Sequence, residues 1–154
     1  MAHIHEKIDI TVGAYIVNGD AVFLRMHDKY KLWAHVGGHV ELDEDPNQAV
    51  VREAKEEAGL DITLVGTKPS VAEGKGYSEL IPPRFMNRHR IDDGHEHVDL
   101  IYFATSDSRK IVPAAGEADV ETHWFTKEEL DNPKYGLREH IRHYAKAALD
   151  AVKK

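Results

Sequence analysis

The chain has 154 residues, of which 42% are hydrophobic and 31% charged, so it can form one globular domain with its own core. Its net charge of -7 disfavours a nucleic-acid-binding module, and the absence of cysteine excludes disulfides, thiolate catalysis and cysteine zinc sites. No apolar run is long enough to cross a membrane, and the start, MAHIHEKIDI, does not have the pattern of a signal peptide. We therefore expect a single domain over residues 1–154 and a cytoplasmic location.

The first predicted elements form a β-hairpin. Residues 9–17 are largely β-branched and apolar, the Asn-Gly-Asp sequence at 18–20 is typical of a tight turn, and residues 21–26 return as a second strand. A polar loop then leads to Trp33 and to a pair of adjacent glycines at 37–38.

A helix is predicted to begin at Pro46 and to end before Gly59. Asp45 can cap its first turn, Pro46 fits the first helical position, and Gln48 completes a capping box. Gly59 supplies the left-handed residue that ends many helices.

Downstream, the pattern predicts strands at residues 62–65 and 97–105, separated by an irregular functional loop over residues 66–93. A second capping box at 126–129 opens a short helix, and apolar spacing predicts a C-terminal helix over 137–152. Together these elements indicate an α+β fold in which helices pack on a mixed sheet.

The first helix carries an unusual group of acidic residues. At about 100° per residue, Glu53, Glu56 and Glu57 share one stripe that borders the apolar face. Each close pair of like charges costs about 0.2–0.5 kcal/mol, whereas a divalent cation would make the grouping favourable. Oxygen ligands on a cysteine-free chain favour Mg²⁺ or Mn²⁺. The alternative is a solvated helix surface with Arg52 and Lys55 as partners.

The segment 38–60, GHVELDEDPNQAVVREAKEEAGL, resembles the signature of the Nudix (MutT-like) hydrolases. That signature runs Gly, five residues, Glu, seven residues, Arg-Glu, an aliphatic residue, any residue, Glu-Glu, any residue, Gly and an aliphatic residue. Ala54 is smaller than the usual aliphatic residue, and Val36 stands where proline is common before the glycine pair. The resemblance extends over most of the chain and implies a Nudix-type α/β/α sandwich with a mixed β-sheet.

The resemblance also implies the metal ligands. Glu53, Glu56 and Glu57 would bind Mg²⁺ or Mn²⁺, and one of them would act as the base on the attacking water. The backbone carbonyl of Gly38, or that of Gly37, would add a further oxygen.

Other positions of the signature would support these ligands. Arg52 would orient a glutamate in the catalytic group, while Glu44 and Gly59 would have structural roles. Members of the family often supply a further acid from outside the signature. Glu117 is the first candidate for that ligand, with these rivals: Glu96, Asp99 and Glu121.

Basic residues outside the signature are candidates for binding substrate phosphates. Arg25, at the end of the second strand, stands where similar proteins place such a residue, although an ordinary surface arginine is equally compatible. Arg84 lies in the predicted loop, as do Arg88 and Arg90. Solvated loop charges are the alternative for these three residues.

Aromatic residues are candidates for stacking on a base. Trp33, Tyr30 and Phe85 have suitable side chains, and core packing is the alternative for Trp33.

The chain contains 11 histidines, which raises the question of a zinc site. Such a site needs three or four convergent ligands, and no helical H-x-x-x-H or H-E-x-x-H pattern is present. We therefore expect no structural zinc. His39 is a candidate substrate contact, and His35 or His97 could also touch substrate or transfer a proton.

These observations favour a hydrolase that splits the diphosphate linkage of a nucleoside diphosphate attached to another group. A nucleoside triphosphate or a modified nucleotide is the first expected substrate. ADP-ribose and dinucleoside polyphosphates are alternatives, the latter because of the position of Tyr77 after Leu60. A catalytically silent nucleotide-binding domain is the alternative of another class. Prenyl-diphosphate isomerases of this superfamily rely on a cysteine, which this chain lacks.

We expect a small-molecule partner, no nucleic acid and no membrane, and leave a homodimer open.

Overall fold

A computed structural model describes residues 7–153, so the start that was interpreted as lacking a signal peptide lies mostly outside the described residues. In this part of the chain the elements are, in order, β1 (Ile8–Asn18), β2 (Ala21–Met26), β3 (Trp33–Ala34), β4 (Val36–His39), α1 (Pro46–Ala58), β5 (Thr63–Leu64), β6 (Phe85–Asp92), β7 (His95–Thr105), β8 (Thr122–Thr126), α2 (Lys127–Leu130) and α3 (Glu139–Val152). A short 3-10 helix, Pro133–Tyr135, joins α2 to α3. None of the helices described is long and apolar enough to span a membrane.

The strands form one mixed sheet, as predicted. Its main order is β3-β2-β1-β7-β5, with β4 paired to β1, β6 to β7 and β8 to β2. Strands β1 and β7 are parallel, whereas the other pairs are antiparallel. Asp9 lies opposite His97, and Thr11 lies opposite His39. The register therefore brings the beginnings of β1 and β7 close to the end of β4.

The sheet is buried between two helices. Along β1, Val12, Ala14 and Ile16 pack with the apolar face of α1, while Tyr15 and Val17 pack with the apolar face of α3. Successive side chains of a strand point to opposite faces, so this alternation places one helix on each side. The α/β/α sandwich expected from the resemblance is confirmed.

The predicted helix ends are also confirmed. The Asp45 side chain accepts a hydrogen bond from the Gln48 backbone N–H, and Gln48 returns the bond to complete the capping box. Gly59 ends α1 with φ 70°, in the left-handed region. The second capping box, between Thr126 and Glu129, opens α2.

The prediction of an irregular loop over the whole of residues 66–93 is wrong for its last third. Residues 85–92 form β6, which pairs antiparallel with β7. Because β6 covers the edge of β7 and leaves much of its own surface in solvent, polar residues such as Asn87 and Arg90 occupy it and obscure the apolar alternation. Strand β7 also begins two residues earlier than predicted, at His95.

Candidate active site

The three glutamates of α1, here called the carboxylate cluster (Glu53, Glu56 and Glu57), border the core as predicted. The side chains of Glu53 and Glu57 are 13% and 14% exposed, and that of Glu56 is 42% exposed. Two of the three carboxylates are therefore shielded from bulk water, and the alternative of a fully solvated helix surface does not describe them.

Arg52 connects this cluster to the loop before the helix. Its Nη1 donates to Glu53 Oε1 and Glu56 Oε2, each at 2.9 Å. Its Nε and Nη2 donate to the two carboxylate oxygens of Glu44 at 3.0 and 2.8 Å, and the hydrogen bond from Arg52 lowers the pKa of Glu44. Nη2 also donates to the backbone carbonyl of His39. Arg52 thus orients Glu53 and Glu56 of the carboxylate cluster while using only one oxygen of each.

Glu57 is held from the opposite side. Its Oε1 accepts from Arg25 Nη1 at 2.6 Å, and its Oε2 accepts from the Gly37 backbone N–H at 3.0 Å. Burial raises the pKa of Glu57 to about 7, although Arg25 and the Gly37 N–H favour the charged form. The sequence therefore places a carboxylate where its negative charge is costly without further positive charge nearby.

The glycine pair approaches the cluster closely. A Cβ atom on Gly38 would overlap the carboxylate of Glu53, so only glycine lets the backbone come this near. Burial raises the pKa of Glu53, and repulsion from Glu56 and Glu117 acts in the same direction against the opposing effect of Arg52.

These residues fit a hard divalent cation. The carboxylates near the site outnumber the guanidinium groups of Arg25 and Arg52, which leaves excess negative charge. Glu53 and Glu56 each keep one oxygen that Arg52 does not use, and the backbone of Gly38 lies against Glu53. Mg²⁺ and Mn²⁺ favour such oxygen donors.

The loop after β7 brings Glu117 to the same region. Val112 N–H donates to the Ala58 carbonyl at 3.0 Å and Ala114 N–H donates to the Glu56 carbonyl at 2.8 Å, so the loop follows the C-terminal end of α1. A Cβ atom on Gly59 would overlap the Val112 carbonyl, which adds a packing reason to the conformational one.

Two of the three rivals of Glu117 have other partners, and the third, Glu121, accepts a hydrogen bond from Met26 N–H through its backbone carbonyl. Glu96 pairs with Arg88, and Asp99 accepts a hydrogen bond from Thr11 and contacts His35. The geometry therefore favours Glu117 as the additional ligand, which stays a prediction.

A cavity of about 930 Å³ opens beside the cluster. Several predicted site residues line it, namely Arg25, Gly38, His39, Glu57 and Glu117. Its lining also includes basic and aromatic side chains from other elements, namely Tyr30, Arg88, Arg90, Arg138 and Tyr144. The cavity therefore places cationic groups within reach of the carboxylates.

Three predicted substrate contacts do not belong to this lining as the described residues define it. Trp33 is 6% exposed and packs edge-on against Phe125, so the core-packing alternative describes it better. Phe85 packs against Phe103 and Tyr144, and Arg84 lies over the ring of Phe103. Arg84 and Phe85 were assigned to substrate binding from a predicted loop, whereas Phe85 begins β6 and packs against Tyr144 of α3.

A buried polar pair was not anticipated. His35 Nε2 lies 3.0 Å from Asp99 Oδ2, while Thr11 Oγ1 donates to Asp99 Oδ1 at 3.0 Å. Burial works against the charged imidazole, but Asp99 outweighs it and raises the pKa of His35. An aspartate in a strand with an apolar centre was the sequence signal for this pair.

Three histidines and an aspartate converge in the fold, which the sequence analysis did not anticipate. The side chains of Asp9, His39, His95 and His97 come together, with potential ligand atoms all within 4.8 Å of one another. We call this group the imidazole cluster. Its members come from three strands, and no local spacing in the sequence reveals it.

Comparison with known proteins agrees with the geometry. The family model of the NUDIX domain matches residues 7–147. No curated protein matches the chain significantly. Among solved structures, a Nudix-family hydrolase from Clostridium perfringens is 36% identical with a TM-score of 0.84, covering 94% of this chain and 98% of that one.

Two further solved structures are more distant. A MutT Nudix hydrolase from Burkholderia pseudomallei is 25% identical with a TM-score of 0.62, covering 96% of this chain and 100% of that one. An ADP-ribose pyrophosphatase from Streptococcus suis is 18% identical with a TM-score of 0.58, covering 95% and 92%, and shares the fold. With its signature helix, its sandwich fold and a family match over nearly its whole length, this chain belongs to the Nudix hydrolase family.

Proposed function

We propose that the protein is a Mg²⁺- or Mn²⁺-dependent diphosphohydrolase that cleaves the diphosphate linkage of a nucleoside diphosphate attached to another group. A nucleoside triphosphate or a modified nucleotide is the first expected substrate. The observation that carries the proposal is the shielded carboxylate cluster against the Gly38 backbone, beside a cavity of about 930 Å³.

Each residue of the carboxylate cluster has a proposed role in this reaction. Glu53, Glu56 and the Gly38 carbonyl would bind the cation, and Glu57 would be a further carboxylate ligand. Arg52 fixes the directions of two of these side chains by its fork of hydrogen bonds. A bound Mg²⁺ or Mn²⁺ would neutralise phosphate charge and lower the pKa of the attacking water. Each glutamate of the cluster is a candidate to accept the proton of that water.

The cavity also offers groups that can bind the phosphates and the base of a nucleotide. Arg88 and Arg90 of β6 and Arg138 before α3 lie in its lining, where guanidinium groups can bind phosphate oxygens by paired hydrogen bonds. The exposed ring of Tyr30 lies at the same cavity and can stack on a base. A volume in the range of ordinary ligand pockets supports a small-molecule substrate rather than a polymer.

The alternative substrates receive less support. Tyr77, which suggested a dinucleoside polyphosphate, is exposed, hydrogen-bonds to Glu79 and is not among the described lining residues. The Streptococcus suis structure is called an ADP-ribose pyrophosphatase, but at 18% identity it supports the fold alone. A silent binding domain is disfavoured because the carboxylate cluster retains all three glutamates.

A substrate panel tests this proposal. Nucleoside triphosphates, oxidised nucleotides, ADP-ribose and dinucleoside polyphosphates are incubated with the protein and Mg²⁺ or Mn²⁺, and the cleaved products are identified by chromatography. A Glu53→Gln variant purified in the same way controls for contaminating phosphatases. Metal-dependent cleavage by the wild type alone supports the proposal. Tight nucleotide binding with no cleavage of any compound would establish the silent-domain alternative instead.

Two further expectations belong to the same proposal. The partner is a small nucleotide, with no nucleic acid or membrane involved, and a cytoplasmic location suits that substrate. Size-exclusion chromatography with light scattering tests the homodimer that the sequence left open.

A further inference from the structure

The imidazole cluster lies at a junction of three strands. Asp9 comes from the beginning of β1, His39 ends β4, and His95 and His97 begin β7. The parallel register sets Asp9 directly beside His97, and β4 enters from the opposite side of β1 with His39 across from Thr11. Because side chains two residues apart in a strand share a face, His95 and His97 both point toward Asp9.

The potential ligand atoms of the imidazole cluster lie close together, and one pair of them is hydrogen-bonded. Asp9 Oδ2 lies 2.5 Å from His95 Nε2 and 3.3 Å from His39 Nε2. The ring of His97 lies 4.9 Å from that of His39 and 5.0 Å from that of His95, edge to face in both cases. Ligand atoms around tetrahedral zinc are about 3.4 Å apart, as bond lengths of about 2.1 Å require. The four potential ligand atoms lie within 4.8 Å of one another, so binding of zinc would require the side chains to adjust to that spacing.

One buried nitrogen atom of the cluster has no hydrogen-bond partner among the described residues. His97 Nε2 is buried, and no residue between 7 and 153 provides it with a hydrogen-bond partner. A buried polar atom in this condition costs about 1–3 kcal/mol, so its position calls for an explanation. A metal ion bound to His97 through this nitrogen would give it a partner.

We propose that Asp9, His39, His95 and His97 form a zinc site that is separate from the carboxylate cluster. Three imidazoles and one carboxylate are a zinc-type ligand set, in contrast to the all-oxygen donors of α1. Four protein ligands close a tetrahedral site, so its role is structural: the ion ties β4 to β1 and β7. Since His39 directly follows Gly38, the tie fixes the backbone that approaches Glu53.

Zinc content measured after chelator treatment tests the site. The protein is stripped with chelator, mixed with Zn²⁺ in excess Mg²⁺, passed through gel filtration and analysed by elemental mass spectrometry. We expect one zinc ion per wild-type chain, and binding weaker by at least about 100-fold in a His97→Ala variant. His39→Ala is a second variant whose side chain is half-exposed, so its removal leaves the core intact. His143→Ala, at an exposed position on α3 outside the cluster, is the matched control and retains zinc.

Two further measurements separate this site from the diphosphohydrolase proposal. Co²⁺ bound in place of zinc gives intense visible bands when four-coordinate, which His97→Ala and His39→Ala abolish. A Glu57→Gln variant retains stoichiometric zinc whatever its effect on turnover. A wild-type chain that binds no zinc, or zinc retained in both histidine variants, would overturn the proposed site.

Discussion

The carboxylate cluster and the imidazole cluster border the same short strand, β4, yet they are assembled in different ways. The carboxylate cluster lies within one turn of one helix, where spacings of three and four residues place side chains together automatically. The imidazole cluster combines three strands that are distant in sequence, and only the sheet register brings them together. A local motif is therefore readable from sequence, whereas a site of equal density built across strands is not.

The largest effect that we expect is a loss of turnover after a substitution in the carboxylate cluster. A Glu57→Gln substitution removes one negative charge from the site but keeps an acceptor oxygen for the Gly37 N–H, so the fold should persist. We expect Mg²⁺-dependent turnover to fall by about 100-fold or more, since metal-assisted stabilisation is worth several kcal/mol. Steady-state kinetics measure the loss and circular dichroism checks the fold. Turnover within a factor of about two of the wild type would refute the metal assignment.

Substitutions of the two adjacent glycines separate an effect on turnover from an effect on stability. In Gly38→Ala the new Cβ meets the flexible end of Glu53, whereas in Gly37→Ala it meets the backbone carbonyl of Val12. We expect Gly38→Ala to lose about 10-fold to 100-fold in turnover with little change in stability. Gly37→Ala should lose about 1–3 kcal/mol of unfolding free energy. Urea unfolding and kinetics on both variants test this contrast, which equal stability losses would contradict.

Arg52 links the two clusters, because it donates both to the carboxylates and to the His39 carbonyl. Lysine cannot reproduce its fork, so Arg52→Lys should reduce turnover by about 10-fold or more through misplaced ligands. Lys55→Ala is the matched control on the same helix, since Lys55 is exposed and pairs with Asp61 at the surface. Kinetics with Mg²⁺ titration distinguish the two, and an equal effect of both substitutions would argue against the positioning role.

The smallest expected effect concerns pH and Glu44. The hydrogen bond from Arg52 is the main reason that the pKa of Glu44 is low, and a carboxyl with a depressed pKa stabilises the fold above its unfolded pKa of about 4.3. That contribution disappears as the pH falls through the folded pKa. Glu44→Gln should therefore cost about 1 kcal/mol at pH near 7 and less below a pH of about 4. Urea unfolding at the two pH values measures the difference, and a pH-independent cost would count against the ionic origin.

Much of the fold was predictable because local rules agreed with the tertiary structure. The hairpin turn at residues 18–20, the capping box at Asp45 and the left-handed Gly59 all took their predicted roles. Strand β6 was missed because an outer strand exposed to water carries polar residues such as Arg88, which hide the two-residue alternation.

The sequence predicted which residues belong to the site more fully than it predicted the contacts between them. Glu53 and Glu57 could be placed on one stripe from their spacing, and the partnership of Arg25 with Glu57 needed the pairing of β2 with its neighbours. The cluster around His97 depended on which strand lies next to β1. That neighbour is set by the whole sheet, which no single segment specifies.

The contact of Gly59 with Val112 has a dynamic consequence. Because the loop after β7 is hydrogen-bonded to carbonyls near the end of α1, we expect Glu117 to move together with the signature helix and not as a separate flap. Amide hydrogen exchange at Val112 and Ala114 should then occur at the same rate as exchange at the end of that helix. The loop and the helix end would open to solvent together.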